Sequence, residues 1–164
     1  MQQINEKAEF QPANVVDNLQ VSGQLRIQHY DEFGNLKEDR TVKNLVVTTG
    51  KNFIASRLGG ASSAVMGWME VGTDNTAAVV GNTALGLPVA ASRTALSSLT
   101  AGVPTANAIR HVCTFGAGVG TGALVEAGIF NASTAGTMLC RTVFGVITKG
   151  ALDSITITWD LTIS

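Results

Sequence analysis

Charged side chains are scarce in this sequence. Asp, Glu, Lys and Arg make up 14% of its 164 residues, against about 25% in an average soluble protein. Hydrophobic residues make up 45%, whereas disordered chains are rich in charge and poor in apolar residues, so disorder is not expected for most of the chain. Few charges also leave little repulsion at the surface. This suggests a surface largely covered by copies of the chain or by a partner.

Basic clusters and long apolar runs are also missing. The net charge is −1 and Lys and Arg do not cluster, which argues against nucleic-acid binding through phosphate neutralisation. No apolar run reaches the roughly 20 residues of a membrane span, and residues 1–7 lack the apolar centre of a secretory signal. We therefore expect cytoplasmic synthesis, with no nucleic acid and no membrane as partner.

Cysteine is nearly absent. Cys113 and Cys140 are the only two, and they lack the Cys-x-x-Cys spacing and the nearby histidine pair of a zinc site. We expect both to be small buried hydrophobic residues.

Alternation of apolar and polar residues is the dominant pattern that is present. It runs from Val21 to His29 and returns from Leu36 to Val42, which predicts a hairpin. The strongest alternation covers residues 155–163 and predicts a strand with one buried face. Further strand signals lie at residues 44–48, 66–73, 93–99, 109–115, 126–131 and 138–147.

One helix is predicted, at residues 48–60. Thr48 or Thr49 is the expected N-cap, and residues 59–60, both glycine, supply the stop. The apolar residues of the helix share one face at helical spacing: Phe53, Ile54 and Leu58.

Many short strands and a single helix predict a mainly β protein, an antiparallel, jelly-roll-like β-sandwich over residues 21–164. A polar arm at residues 1–20 precedes it, and this arm is either a docking segment or a frayed terminus. Residues 74–91, rich in small residues, predict a long excursion with one short helical turn near residues 83–87. A loop of this length suggests a contact surface.

A glycine-rich loop at residues 116–122 matches part of a dinucleotide-binding motif. Gly118, Gly120 and Ala123 fit a loose GxGxxA pattern, but the motif also needs a helix directly after it and an acidic residue about 20 positions on. Neither is indicated. We therefore interpret the glycines as a flexible loop that needs a bulge, positive φ or close approach to a neighbouring chain.

A nucleophile–base pair is the second catalytic candidate. His111 and Cys113 share one face of a predicted strand, but no third group orients the histidine and their neighbours are apolar. His29 is expected to lie at the end of the hairpin. The acidic pairs at residues 31–32 and 38–39 are expected to be exposed charges that discourage strand pairing, since calcium would need more convergent oxygens. We assign no catalytic, cofactor-binding or metal-binding residue and expect no enzyme.

Two parts of the chain carry a resemblance: residues 23–36 with 42–52, and residues 114–131 with 139–144 and 155–159. Together they resemble a family of small virion proteins of tailed bacteriophages, which are head decoration (cement) proteins and in some phages are labelled tail-fibre-like. The resemblance implies a jelly-roll-like β-sandwich on the outer capsid surface. It also implies bridging of neighbouring major capsid subunits by a homo-oligomer, a trimer or a dimer.

Two other functions remain open. The first is a tail-fibre or receptor-binding module that contacts the host surface, with residues 74–91 as its recognition loop. Aromatic residues make up only 5% of the chain, which argues against this function because sugar-binding faces usually stack aromatic rings. The second is an unrecognised hydrolase that uses His111 and Cys113.

Overall fold

The structure, a computed structural model, describes residues 19–164, which form ten strands and one helix. Most of the predicted arm at residues 1–20 lies outside the described residues. In chain order the elements are β1 (Val21–Tyr30), β2 (Leu36–Lys43), β3 (Leu45–Val46), α1 (Thr48–Leu58), β4 (Trp68–Gly72), β5 (Thr94–Ala95), β6 (Ser98–Ala101), β7 (Ala108–Phe115), β8 (Gly122–Phe130), β9 (Met138–Lys149) and β10 (Ser154–Ile163).

The strands form two five-stranded antiparallel sheets. Sheet A has the order β2-β1-β10-β7-β6, and sheet B has the order β3-β9-β8-β4-β5. The chain passes between the sheets after β2, β5, β7 and β9, so each sheet is assembled from separated parts of the sequence. The predicted mainly β, antiparallel sandwich with one short helix is confirmed.

The main core lies between the two sheets. From β10, in the middle of sheet A, the buried side chains are Ile155, Ile157, Trp159 and Leu161. Sheet B meets them with Met69, Val71 and Ile129, which are also fully buried. Removing one large apolar side chain of this kind from water stabilises a fold by about 1.5–3 kcal/mol, so the alternation on β10 is a main source of stability.

The predicted hairpin is confirmed. β1 pairs antiparallel with β2, with Leu25 opposite Val42, and the register shifts between His29 and Tyr30. The Asp31 carboxylate fixes the turn, since its Oδ1 accepts the backbone N–H groups of Phe33 and Asn35 at 2.9 and 2.8 Å.

Helix α1 occupies the predicted residues, but its expected N-cap is wrong. The N-cap is Val47, which makes no side-chain cap. Thr49 instead donates its hydroxyl to the Met138 carbonyl at 2.9 Å, so the threonine holds the helix to β9 rather than capping it. The predicted glycine stop is confirmed, because Gly60 has a φ of +83°.

The face of α1 is also narrower than predicted. Phe53 and Ile54 pack partly buried against the core, whereas Leu58 is 79% exposed. Gly50 is the buried residue of the helix, and an added Cβ there would lie 2.0 Å from the Leu139 carbonyl oxygen. Backbone contact at Gly50 therefore sets the distance between α1 and β9.

Two smaller expectations are wrong. Residues 93–99 are not one strand but two, β5 in sheet B and β6 in sheet A, because the chain crosses the sandwich there. Ser97 already donates its N–H to the Val112 carbonyl, in the other sheet from β5. The expected helical turn at residues 83–87 is absent, since α1 is the sole helix among residues 19–164.

Candidate interaction surfaces

The excursion at residues 74–91 packs on the outer face of sheet B. A second, smaller apolar cluster forms there, in which Leu85 of the excursion meets Phe130 and Met138 of the sheet. The strands beneath are thus covered on both faces. This explains why nearly every residue of β8 is buried.

A buried ion cluster anchors the excursion. Glu126 on β8 is 0% exposed and Arg141 on β9 is 1% exposed. Arg141 donates Nε to Oε2 of Glu126 at 2.8 Å, and its terminal nitrogens to Asp74 and Asn82, both at 3.2 Å. One guanidinium therefore connects the sheet to two points of the excursion.

Glu126 also binds the excursion backbone. Its carboxylate accepts the N–H groups of Gly86 at 3.0 Å, Leu87 at 2.8 Å and Asp74 at 3.3 Å. Gly86 leaves room for Asp74, because a Cβ there would lie 1.7 Å from an Asp74 carboxylate oxygen and would displace that side chain. The pKa of Asp74 is held below its ordinary value, mainly by hydrogen bonds from Thr76 and also by Arg141.

A second arginine fixes the chain just after the excursion. Arg93 donates to Glu70 at 2.7 Å and to the Ala132 carbonyl at 3.0 Å. Its guanidinium lies 3.4 Å from the ring centroid of Phe130, a cation–π contact. The excursion is therefore tied to sheet B at both of its ends.

Three large apolar side chains of the excursion are exposed. Val79, Val80 and Leu87 are 56%, 53% and 59% exposed, although the backbone that carries them is bonded in place, for example by the Thr48 N–H to the Val80 carbonyl at 2.8 Å. We call these three side chains the excursion surface. A surface fixed in advance loses little conformational entropy on binding a partner.

The glycine-rich loop joins two strands. β8 follows it, in the place where a dinucleotide-binding motif has its helix. Gly118 and Gly120 have φ values of +77° and +60°, so the positive φ that we expected is confirmed. The loop is pinned, since Gly118 donates its N–H to Ala151 at 2.7 Å and Lys149 donates its ammonium to Gly116 at 2.9 Å.

His111 and Cys113 are both buried on β7. Burial lowers the pKa of His111 to about 4 and raises the pKa of Cys113 to about 12. A thiolate nucleophile needs the opposite shift in the cysteine. Cys140 is buried as well, and both cysteines are free, so the prediction that they are small buried residues is confirmed.

The sequence analysis did not predict a polar cluster that lies at the C-terminal end of β1. His29 is 3% exposed, and its Nε2 lies 2.8 Å from Oδ2 of Asp153. Lys37 donates to the same oxygen at 2.9 Å, as does the Gly150 N–H. These donors, Lys37 first, hold the pKa of Asp153 well below its ordinary value. This cluster fastens the turn between β9 and β10 to the hairpin.

The outer face of sheet A is open and polar. A concavity of about 260 Å³ lies on it, and its lining residues are Gln24, Arg26, Thr41, Arg110, Thr158 and Asp160. Both arginines are engaged, Arg26 with Asp39 and Arg110 with Asp160. Of the two acidic residues predicted to be exposed on β2, Asp39 therefore serves this face as an ion-pair partner, whereas Glu38 is half-buried and pairs with Arg40.

An apolar groove with a volume of about 460 Å³ lies between α1 and the end of sheet A at which β1 begins and β10 ends. Three of its lining side chains are exposed, Leu58, Val65 and Leu99. Val21 of β1 and Ile163 of β10 also line it.

Among residues 19–164, no group of three or more His, Cys, Asp and Glu side chains is arranged to hold a metal ion. Helix α1, the helix of that part, is too short to cross a membrane.

Comparison of the chain with protein-family models, with curated proteins and with solved structures gives no match.

Proposed function

We propose that the chain is a structural virion protein that decorates the outside of a bacteriophage capsid and stabilises it by bridging neighbouring major capsid subunits. The observation that carries this proposal is the excursion surface. Three exposed apolar side chains are held on a backbone that a buried Glu126–Arg141 pair anchors. An apolar surface fixed in this way is suited to bind another protein, since exposed apolar patches mark interaction sites.

The low charge of the chain supports the same function, because a surface covered in an assembly needs few charges for solubility. A homo-oligomer would present several excursion surfaces at once. Linked sites gain avidity from the high effective concentration of the second contact, which favours binding at the joints between capsid subunits.

Particle stoichiometry tests the proposal. Cryo-EM of the virion, or quantification of the chain against the major capsid subunit on a gel, should give tens to hundreds of copies per particle. A copy number of a dozen or fewer contradicts the proposal.

A surface variant tests the role of the excursion. Val79→Asp combined with Val80→Asp should lower occupancy on isolated heads, because the charges would be desolvated in the interface. Val146→Asp is the matched control, since Val146 is equally exposed, at 56%, on β9. Equal loss of binding in both variants contradicts the assignment of this surface.

The polar concavity on sheet A favours a second function, a tail-fibre or receptor-binding module that contacts the host surface. Its amide, hydroxyl and guanidinium groups are suited to hydrogen-bond a glycan. Purified chain that blocks phage adsorption, and that loses this effect on Gln24→Ala and Thr158→Ala substitution, would establish this function. A chain that does not compete for host cells excludes it.

We propose that His111 and Cys113 carry no catalysis, because both are buried and burial raises the pKa of the Cys113 thiol, whereas a thiolate nucleophile needs a lowered pKa. A turnover that is lost on alanine substitution of His111 or Cys113 would contradict this assignment.

A further inference from the structure

The tip of the β1–β2 hairpin is an exposed apolar knob. Phe33 is 81% exposed and Leu36 is 52% exposed. Leu152, in the turn before β10 at the same end of the sandwich, is 63% exposed. Asp31 fixes the turn with its hydrogen bonds, so the knob is ordered before it meets a partner. The tip is also acidic, through Asp31 and Glu32.

The apolar groove has the opposite character. Its lining is mainly apolar and includes the cation Arg57. A second cation, Lys51, lines an adjoining concavity that shares Val21, Ile54 and Leu58 with the groove. The groove is thus complementary to the hairpin tip in both apolar character and charge.

The two surfaces cannot meet within one copy. The groove reaches Val21 at the start of β1, whereas the tip follows Tyr30 at its end. A ten-residue strand spans about 30 Å. Each copy therefore offers both surfaces at once, to different neighbours or to one neighbour reciprocally.

We propose that the hairpin tip of one copy, residues 31–36, inserts into the apolar groove of a second copy. Phe33 enters between Leu58 and Leu99, and Glu32 approaches Arg57. Two copies that make this contact in both directions form a reciprocal dimer. Copies that make it in one direction only form a head-to-tail ring. The inference rests on self-assembly as part of the proposed function, but it does not require the capsid.

Sedimentation equilibrium of the full chain tests the contact. The chain should associate in a concentration-dependent way, and Phe33→Ser and Leu99→Arg should each raise the dissociation constant by roughly tenfold or more. Val146→Ser, at an exposed position on β9 that belongs neither to residues 31–36 nor to the groove lining, should not change it. Circular dichroism checks that each variant folds, which is expected because the substituted side chains are exposed.

Charge reversal and cross-linking test whether the hairpin tip of a second copy occupies the groove. Glu32→Lys and Arg57→Glu should each weaken association, and the double variant should restore it. A mixture of Phe33→Cys chains with Leu99→Cys chains should form a disulfide between copies on oxidation, whereas each variant alone should form far less.

Several results overturn the proposal. They are a chain that stays monomeric at all concentrations, association that both surface variants leave unchanged, and a mixture that gives no cross-link between copies. A Leu99→Cys chain that instead cross-links efficiently to a cysteine placed at Val15 of the same chain would assign the groove to the chain's own N-terminal residues. If the chain does not self-associate but still binds capsids in high copy number, this contact is refuted and the proposed function is not.

Discussion

Glu126 on β8 and Arg141 on β9 lie diagonally across the strand pair, in which Glu126 is opposite Val143 and Arg141 is opposite Gly128. Nε of Arg141 lies 2.8 Å from Oε2 of Glu126, and both side chains are sealed from solvent. The same carboxylate accepts backbone N–H groups from both ends of the excursion. A buried ion pair adds little net stability compared with apolar packing, but breaking one leaves a buried charge without its partner. The pair therefore couples the placement of the excursion surface to the stability of sheet B.

We predict that Glu126→Gln destabilises the fold by about 1–3 kcal/mol, because buried Arg141 keeps only Asp74 as an ion-pair partner and the backbone N–H groups lose a charged acceptor. Urea unfolding measures the loss. Limited proteolysis should also cut within residues 74–91 faster than in the unsubstituted chain, since two of the backbone anchors weaken.

Asp39→Asn is the control for this variant, because Asp39 bonds Arg26 in a largely exposed ion pair. Exposed pairs of this kind contribute little to stability, because solvent screens them. Equal destabilisation by the two substitutions would show that the Glu126 cluster is not special.

We predict that Gly50→Ala destabilises the fold by about 1–3 kcal/mol or more. The new Cβ would lie 2.0 Å from the Leu139 carbonyl oxygen, and backbone atoms cannot swing aside as a side chain can. Helix α1 has to move off β9. Thermal unfolding followed by circular dichroism measures the effect. Gly81→Ala is the matched control, since nothing lies within 4 Å of its added Cβ, and it should stay within about 0.5 kcal/mol.

We predict that the stability falls with acid because of His111. Burial lowers the pKa of this imidazole from 6.5 to about 4, although the Trp159 backbone and the Asp160 charge oppose the shift. Between these two pH values the imidazole is protonated in the unfolded chain and neutral in the folded chain. The contribution of the neutral imidazole to the free energy of unfolding is therefore complete above about pH 6.5. It is lost progressively toward pH 4, about 3 kcal/mol in all.

His111→Leu should remove this part of the pH dependence, which urea midpoints at pH 4.5, 5.5 and 7 would report. A slope between pH 4 and 6.5 that is the same in the variant as in the unsubstituted chain would assign the acid sensitivity to other groups.

We predict that the two cysteines do not react in the folded protein. Burial raises the pKa of Cys113 to about 12, and it raises the pKa of Cys140 further still. The thiolate is the reactive form, so a thiol reagent at pH 8 should label neither residue in the native state and both in denaturant. Rapid labelling of native Cys113 would mean that the sandwich opens locally near β5 and β7.

The alternation of residues 155–163 predicted β10 because burial of one face of a strand imposes a period of two. The single strand predicted at residues 93–99 was wrong because the chain changes sheets there, from β5 in sheet B to β6 in sheet A, and all four residues of β6 are exposed. A period cannot report which sheet a residue joins.

The ion cluster was harder to predict. Glu126 stands as a single charge inside an otherwise apolar strand, and that anomaly was the available signal for a buried anchor. Its partners Gly86 and Arg141 are distant in sequence, so the pairing depends on how the excursion folds back. His29 is similar, because the residue that buries it, Asp153, comes from the opposite end of the chain.

The position of β10 has a consequence for how the chain reaches its fold. β10 lies between β1 and β7, and its residues pair with both. Until the ribosome has released residues 154–163, β1 and β7 have no common neighbour, and sheet A is split into two unpaired edges. Contacts between such distant segments slow folding. A nascent chain stalled before residue 154 should therefore expose both edges to aggregation, and release of this single strand should complete the sheet in one step.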